Sequence, residues 1–119
     1  MLVIAVFLIV FIGLAHSVLG EKFIIKRLLK RDNLPKIYGS DDFTKRTIRF
    51  AWHITTLTWF GLAAICLFLA NPETLSIDSI KLSIAITFAV SGLISLYFSK
   101  AKHFSWPVFL LISALTFPY

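Results

Sequence analysis

The chain has 119 residues, of which 58% are hydrophobic and only 15% are charged. An ordinary soluble domain carries about 25% charged residues, so this composition excludes a domain with a solvated, charged surface and indicates a membrane protein. The formal net charge of +6 does not indicate a nucleic-acid partner, because the basic residues flank apolar segments and no compact RNA-binding or DNA-binding motif accompanies them.

The first apolar stretch covers residues 2–19, and His16 is its only ionisable side chain. As a helix it measures roughly 27 Å against a hydrocarbon core of about 30 Å, which predicts a transmembrane span. The letters "AHS" place small residues as a signal-peptidase site does, so a cleaved signal peptide is the alternative. No basic residue precedes the apolar run, and cleavage would export the basic cluster that follows it. We therefore expect a retained span.

The connection after this span holds nine of the twelve basic residues. In its first part, "EKFIIKRLLKRDN", apolar and basic residues alternate at helical spacing, which predicts an interfacial helix or an overhang of the first span. Pro35 should end this helix, because a proline disfavours helix at the residue before it. Anionic lipid headgroups are the expected partners. The residues assigned to headgroup binding are Lys22, Lys26, Arg27, Lys30 and Arg31.

The second apolar stretch, residues 47–70, measures roughly 36 Å as a helix and predicts a second span. We expect its helix to begin about two turns earlier, with Ser40 as N-cap. Asp41 and Asp42 would then lie near the positive end of the helix dipole.

Residues 82–98 measure roughly 26 Å as a helix and predict a third span. Small and hydroxyl residues recur along one side of it, as they do where helices approach closely, and a polar lining in an oligomer is the alternative. The residues assigned to helix packing are Gly13 and Gly20 in the first span and Thr87, Ser91, Gly92 and Ser95 in the third.

A fourth apolar segment, residues 104–119, reaches roughly 24 Å, and Pro107 and Pro118 bracket its centre. We expect a short fourth span, with a re-entrant segment as the alternative. Lys100 and Lys102 precede it, whereas the second connection carries mainly acidic residues. The positive-inside rule therefore places the first and third connections in the cytoplasm and both termini outside, and the inner membrane of a bacterium is the expected location.

A histidine inside the second span needs a partner, because an ionisable side chain in hydrocarbon costs a few kcal/mol when unpaired. On an ideal helix Arg49, His53 and Thr56 share one face, while Trp52 and Trp59 lie on a neighbouring stripe. We expect this polar face to turn away from lipid.

The first span has a similar face, on which His16 and Ser17 cluster with two glycines. His16 precedes the charged Glu21 by about the same distance as His53 follows Arg49, so both rings should lie about 6 Å inside the same boundary. His103 lies on that side as well, in the third connection. The residues assigned to a polar intramembrane site are His16, Ser17, Glu21, Arg49, His53, Thr56 and His103.

Three interpretations of this site stay open. The two histidines of the spans hydrogen-bond to one another or to nearby hydroxyls and hold the helices in register. They form a proton relay or gate, since histidine titrates near neutral pH. Or they bind haem or a transition metal, for which the candidate ligands are His16, His53, His103 and Glu21.

The sequence thus predicts an all-α integral membrane protein, one domain over residues 1–119 with four transmembrane helices. No phosphate-binding glycine loop, metalloprotease helix, serine elbow or paired-cysteine motif occurs, so an enzyme is not the first expectation. We expect a small transport or channel-like protein, forming a homo-oligomer or part of a larger complex, with a histidine-based proton relay or gate near the cytoplasmic face. The alternatives are a non-catalytic accessory subunit of a membrane complex and a haem- or metal-binding redox protein.

Overall fold

The computed structural model describes all 119 residues and contains helices but no strands. The all-helical class is confirmed, and three of the helices are long and apolar enough to cross a membrane. A fourth apolar helix has 12 residues, about 18 Å of rise, and falls short of the hydrocarbon thickness by this measure. The helices are α1 (Leu2–Leu28), α2 (Asp42–Ala70), α3 (Ile77–Ser99) and α4 (Ser105–Thr116).

The four helices lie side by side in an open row. Each helix contacts only its neighbours along the chain, so α1 packs on α2, α2 on α3 and α3 on α4. The Cα extents of 53 × 32 × 14 Å fit this row, because four helices about 9 Å apart span about 32 Å across. Both faces of the row are therefore free of contacts from the chain itself.

Helix α1 continues past its apolar stretch, so the basic segment is an overhang of the first span and not a separate interfacial helix. Between Gly20 and Ile25 the helix widens into a π-helical turn, in which the N–H of Lys26 donates to the carbonyl of Glu21 five residues earlier. Such turns are rare and often lie at functional sites. The helix ends at Leu28, a few residues before the position that Pro35 predicted.

Helix α2 begins at Asp42, two residues after the predicted N-cap. The Ser40 hydroxyl accepts a hydrogen bond from the Asp42 N–H at 3.4 Å. In the first turn Asp41 and Asp42 pair with cations four residues later, Lys45 at 2.7 Å and Arg46 at 3.0 Å. Such pairs stabilise the start of a helix.

The first and third connections meet at the same end of the row, which we call the basic end. Lys100 lies 3.5 Å from a carboxylate oxygen of Asp42. The His103 ring lies against two aromatic rings of α2, with centroid distances of 5.9 Å to Phe43 and 5.2 Å to Phe50.

Helices α3 and α4 form a hairpin that packs through small residues. The hydroxyls of Ser83, Thr87 and Ser91 donate to carbonyls four residues earlier in α3 itself. Gly92 is buried and faces Leu110 of α4. The hydroxyls of Ser95 and Ser105 hydrogen-bond between the two helices.

Candidate functional site

The antiparallel packing of α1 on α2 brings polar side chains of both helices together at the basic end. On α1, Ser17 and Glu21 are four residues apart and therefore lie on the same face. On α2, the facing residues are Arg49, His53 and Thr56. We call these five residues the polar cluster.

His53 is the centre of the polar cluster, because both of its ring nitrogens have a partner on α1. Nδ1 lies 2.9 Å from the Ser17 hydroxyl, and Nε2 lies 3.2 Å from a carboxylate oxygen of Glu21. The other oxygen of Glu21 lies 3.0 Å from a terminal nitrogen of Arg49. Three elements of the predicted site, a hydroxyl, an imidazole and a carboxylate, are thus connected in series.

The series continues inward through a second hydroxyl. Thr56, which is buried, lies 2.8 Å from the Ser17 hydroxyl and 3.4 Å from the carbonyl of Gly13. From Glu21 to Gly13 the series follows eight residues of α1, about 12 Å along the helix axis. It ends where the Phe60 ring packs directly on Gly13.

The hydrogens of this series have two complete arrangements, which differ by one proton. With Glu21 as a carboxylate and His53 neutral, Nε2–H donates to Glu21, and Nδ1 accepts from Ser17, which accepts from Thr56. With His53 protonated, Nδ1–H donates to Ser17, Ser17 to Thr56 and Thr56 to the Gly13 carbonyl. One added proton therefore reverses both hydroxyls without moving a heavy atom.

His16 lies at a similar depth but on the other flank of the α1–α2 pair. Its ring stacks on Trp52 at a centroid distance of 4.4 Å and an interplanar angle of 1°, with Trp59 5.0 Å away. Its side chain makes no hydrogen bond, and its Nε2 is buried without a partner. The expected contact between the His16 and His53 rings is absent, so His16 is not part of the polar cluster.

Trp52 is a site residue whose role the sequence did not indicate. Its Nε1–H donates to the carbonyl of His16 at 3.0 Å. A Cβ atom at Gly20 would overlap the Trp52 indole, so only glycine fits there. Gly20 and His16 thus form the seat of Trp52, which fixes the distance between α1 and α2 beside the polar cluster. The one sequence signal for this contact is that Gly20 directly precedes the charged Glu21 at the end of the first apolar stretch.

His103 is also separate from the polar cluster. Its Nδ1 accepts the backbone N–H of Ser105 at 3.1 Å and lies 2.8 Å from the Ser105 hydroxyl, at the start of α4. No group of three or more His, Cys, Asp or Glu side chains is placed to hold a metal ion. Of the four candidate ligands, His53 and Glu21 are in contact, whereas His16 and His103 lie apart from them.

The residues assigned to headgroup binding are all exposed, three of them on the overhang of α1 and Lys30 and Arg31 just after its end. Two of them surround an exposed ring, since Lys22 lies 5.2 Å and Arg27 6.0 Å from the centroid of Phe23. None of the five belongs to the polar cluster.

Comparison of the chain with protein-family models, with curated proteins and with solved structures gives no match.

Proposed function

We propose that the protein is a small transport or channel-like membrane protein, in which the polar cluster relays or gates protons near a cytoplasmic basic end. The observation that supports this most is the hydrogen-bonded series through both nitrogens of His53. Histidine is the side chain whose ordinary titration lies closest to neutral pH, and ionisable residues inside a span often mark proton routes.

In this mechanism Glu21 is the outer end of the relay, because it lies on the last turns of α1 next to the basic overhang. A proton at the inner end of the series is taken up by Thr56, whose own proton passes to Ser17 while the Ser17 proton passes to Nδ1 of His53, so that the two hydroxyls reverse. The protonated ring then gives its Nε2 proton to the Glu21 carboxylate, which releases it to the aqueous side. Arg49 holds the Glu21 carboxylate in place at 3.0 Å.

The relay covers only part of the membrane. Its length of about 12 Å compares with a hydrocarbon core of about 30 Å, and Phe60 closes its inner end. Complete transfer therefore needs a movement of α1 against α2 or a second copy of the chain. The open row, with α4 as a short fourth span and both termini outside, leaves a face on which a second copy would pack.

The test is proton flux into liposomes that contain the purified protein and an internal pH-sensitive dye, driven by a potassium diffusion potential. His53→Gln should lower the flux about tenfold or more, since a positioned acid–base group contributes ~100-fold or more to proton transfer. His16→Gln is the matched control, because it changes the same residue type on the same helix pair outside the relay. Absence of protein-dependent flux under any gradient, or equal losses in both variants, would contradict the proposal.

A non-catalytic accessory subunit is the second candidate, and the open row favours it specifically. In a row whose helices contact only their neighbours along the chain, each helix keeps surface that the chain itself does not cover, as expected of a subunit that packs against another membrane protein. Crosslinking in intact membranes distinguishes the two candidates. Adducts with a different protein, together with no flux, would favour the accessory role, whereas adducts between copies with flux favour the relay.

A further inference from the structure

A polar cavity of about 280 Å³ opens at the basic end, between the ends of three helices. Its wall consists of three cations and one carboxylate of α2 and of two apolar side chains, one just after α1 and one at the end of α3. The lining residues are Leu29, Asp42, Lys45, Arg46, Arg49 and Phe98. None of these residues belongs to the set that the sequence predicts to bind lipid headgroups.

Each of the three cations is held in place by one carboxylate that uses only some of its donors. Lys45 pairs with Asp41, and Arg46 contacts Asp42 through Nε alone, which leaves its two terminal nitrogens free. Arg49 contacts Glu21 through one terminal nitrogen, and its Nε has no partner. Because an arginine has five N–H donors and a lysine three, the cavity wall keeps unused donors on all three side chains.

We propose that this cavity binds the phosphate group of an anionic glycerophospholipid. Guanidinium groups match the geometry of phosphate oxygens, and three cations face a single carboxylate in the wall. Arg46, hydrogen-bonded to Asp42, holds the pKa of that exposed carboxyl below its ordinary value, so Asp42 stays ionised and keeps Arg46 oriented. Leu29 and Phe98 provide an apolar wall for the glycerol and the first acyl carbons, which favours a lipid over a soluble phosphate.

The cavity is coupled to the polar cluster, because Arg49 belongs to both. A bound phosphate and the Glu21 carboxylate are both anions beside one guanidinium, so they repel each other and compete for its charge even where they use different donors. When phosphate occupies the cavity, the Arg49–Glu21 ion pair is therefore weaker, and the Glu21 carboxylate keeps its contact with His53. The effect of this change on a proton relay rests on the proposed function, whereas the binding of lipid and its competition with Glu21 do not.

The binding test uses native mass spectrometry of the purified full chain, loaded with phosphatidylglycerol or phosphatidylcholine. Lys45→Gln with Arg46→Gln should lower retention of phosphatidylglycerol about tenfold. Lys36→Gln with Lys81→Gln is the matched control, because it removes two exposed positive charges that neither line the cavity nor belong to the residues assigned to headgroup binding. Equal losses in both double variants, or equal retention of the two lipids by the wild type, would overturn a specific site.

Two further arms test the competition and the nature of the ligand. Glu21→Gln should raise retention of phosphatidylglycerol about fivefold or more, because coupling between two ligands of one group is reciprocal. Unchanged or lower retention would overturn the competition for Arg49. Inorganic phosphate at millimolar concentration should leave the lipid bound, and displacement of the lipid by phosphate would assign the cavity to a soluble anion. None of these readouts depends on proton flux, so their failure is distinguishable from failure of the relay.

Discussion

The α1–α2 interface and the α3–α4 hairpin are both built from small and hydroxyl residues, yet they use the hydroxyls differently. In α3 the hydroxyls of Ser83 and Ser91 return to carbonyls of their own helix. The hydroxyl that bonds across to α4 is that of Ser95, whose partner Ser105 also contacts His103. In the first interface the hydroxyls of Ser17 and Thr56 bond across the two helices, toward His53. The difference indicates that an ionisable side chain opposite a hydroxyl turns a packing surface into a connected polar series.

The comparison implies that the first interface depends more on a rigid close approach than the second. Gly20→Ala should lower the free energy of unfolding by about 3 kcal/mol, because the new Cβ meets the Trp52 indole, which is held by its hydrogen bond to α1. Gly92→Ala should lower it by about 1 kcal/mol, since the two nearest atoms belong to the Leu110 side chain, which can turn, and the Leu110 backbone nitrogen lies farther away at 3.3 Å. Reversible unfolding in mixed micelles measures both changes.

A second substitution controls for a general effect of the added methyl group. The atoms of Trp52 nearest a Cβ at Gly20 are Nε1, Cε2 and Cζ2, and the smaller phenylalanine ring has no counterpart of Cζ2. Trp52→Phe should therefore recover part of the stability lost in Gly20→Ala, and the two changes should be non-additive. Strict additivity of the two changes, or equal losses of stability in Gly20→Ala and Gly92→Ala, would contradict the inferred difference between the two interfaces.

Serine-to-alanine changes in the two interfaces should have smaller effects on the free energy of unfolding. Ser17→Ala should lower the free energy of unfolding by about 1 kcal/mol, because it removes two hydrogen bonds between helices. Ser91→Ala should cost less than about 0.5 kcal/mol, because its hydroxyl bonds only to its own helix. The same micelle unfolding measurement applies. A larger loss for Ser91→Ala would show that the hydroxyls of α3 do more than pack.

The sequence predicted the depth of the site better than its orientation. Glu21 and Arg49 mark the ends of two antiparallel spans, so the matching distances of Ser17 and His53 from that boundary follow from helix rise alone. His16 has nearly the same depth as Ser17 but is rotated by about 100° around α1, because each residue turns a helix by that angle. That rotation places His16 on the flank of Trp52, away from His53.

Other features of the site depend on contacts between distant residues and on local helix geometry. The rotation of α1 is fixed by the seat of Trp52 on Gly20, a contact between residues 32 apart that no local pattern encodes. The π-helical turn that begins at Gly20 is not visible in helical spacing either. Residues of the third connection and of α2 lie together at the basic end, but His103 contacts the start of α4 because of the tight turn before it.

His53 links α1 to α2 through both of its ring nitrogens. The most direct test of this link is ¹⁵N solid-state NMR of histidine-labelled protein in bilayers. We predict that neutral His53 carries its proton on Nε2, next to Glu21, and takes the added proton on Nδ1 as the pH falls. Ser17→Ala should shift the Nδ1 signal, Glu21→Gln should shift the Nε2 signal, and neither should shift the signals of His103. A neutral His53 with its proton on Nδ1, or His53 signals that both substitutions leave unchanged, would contradict the account.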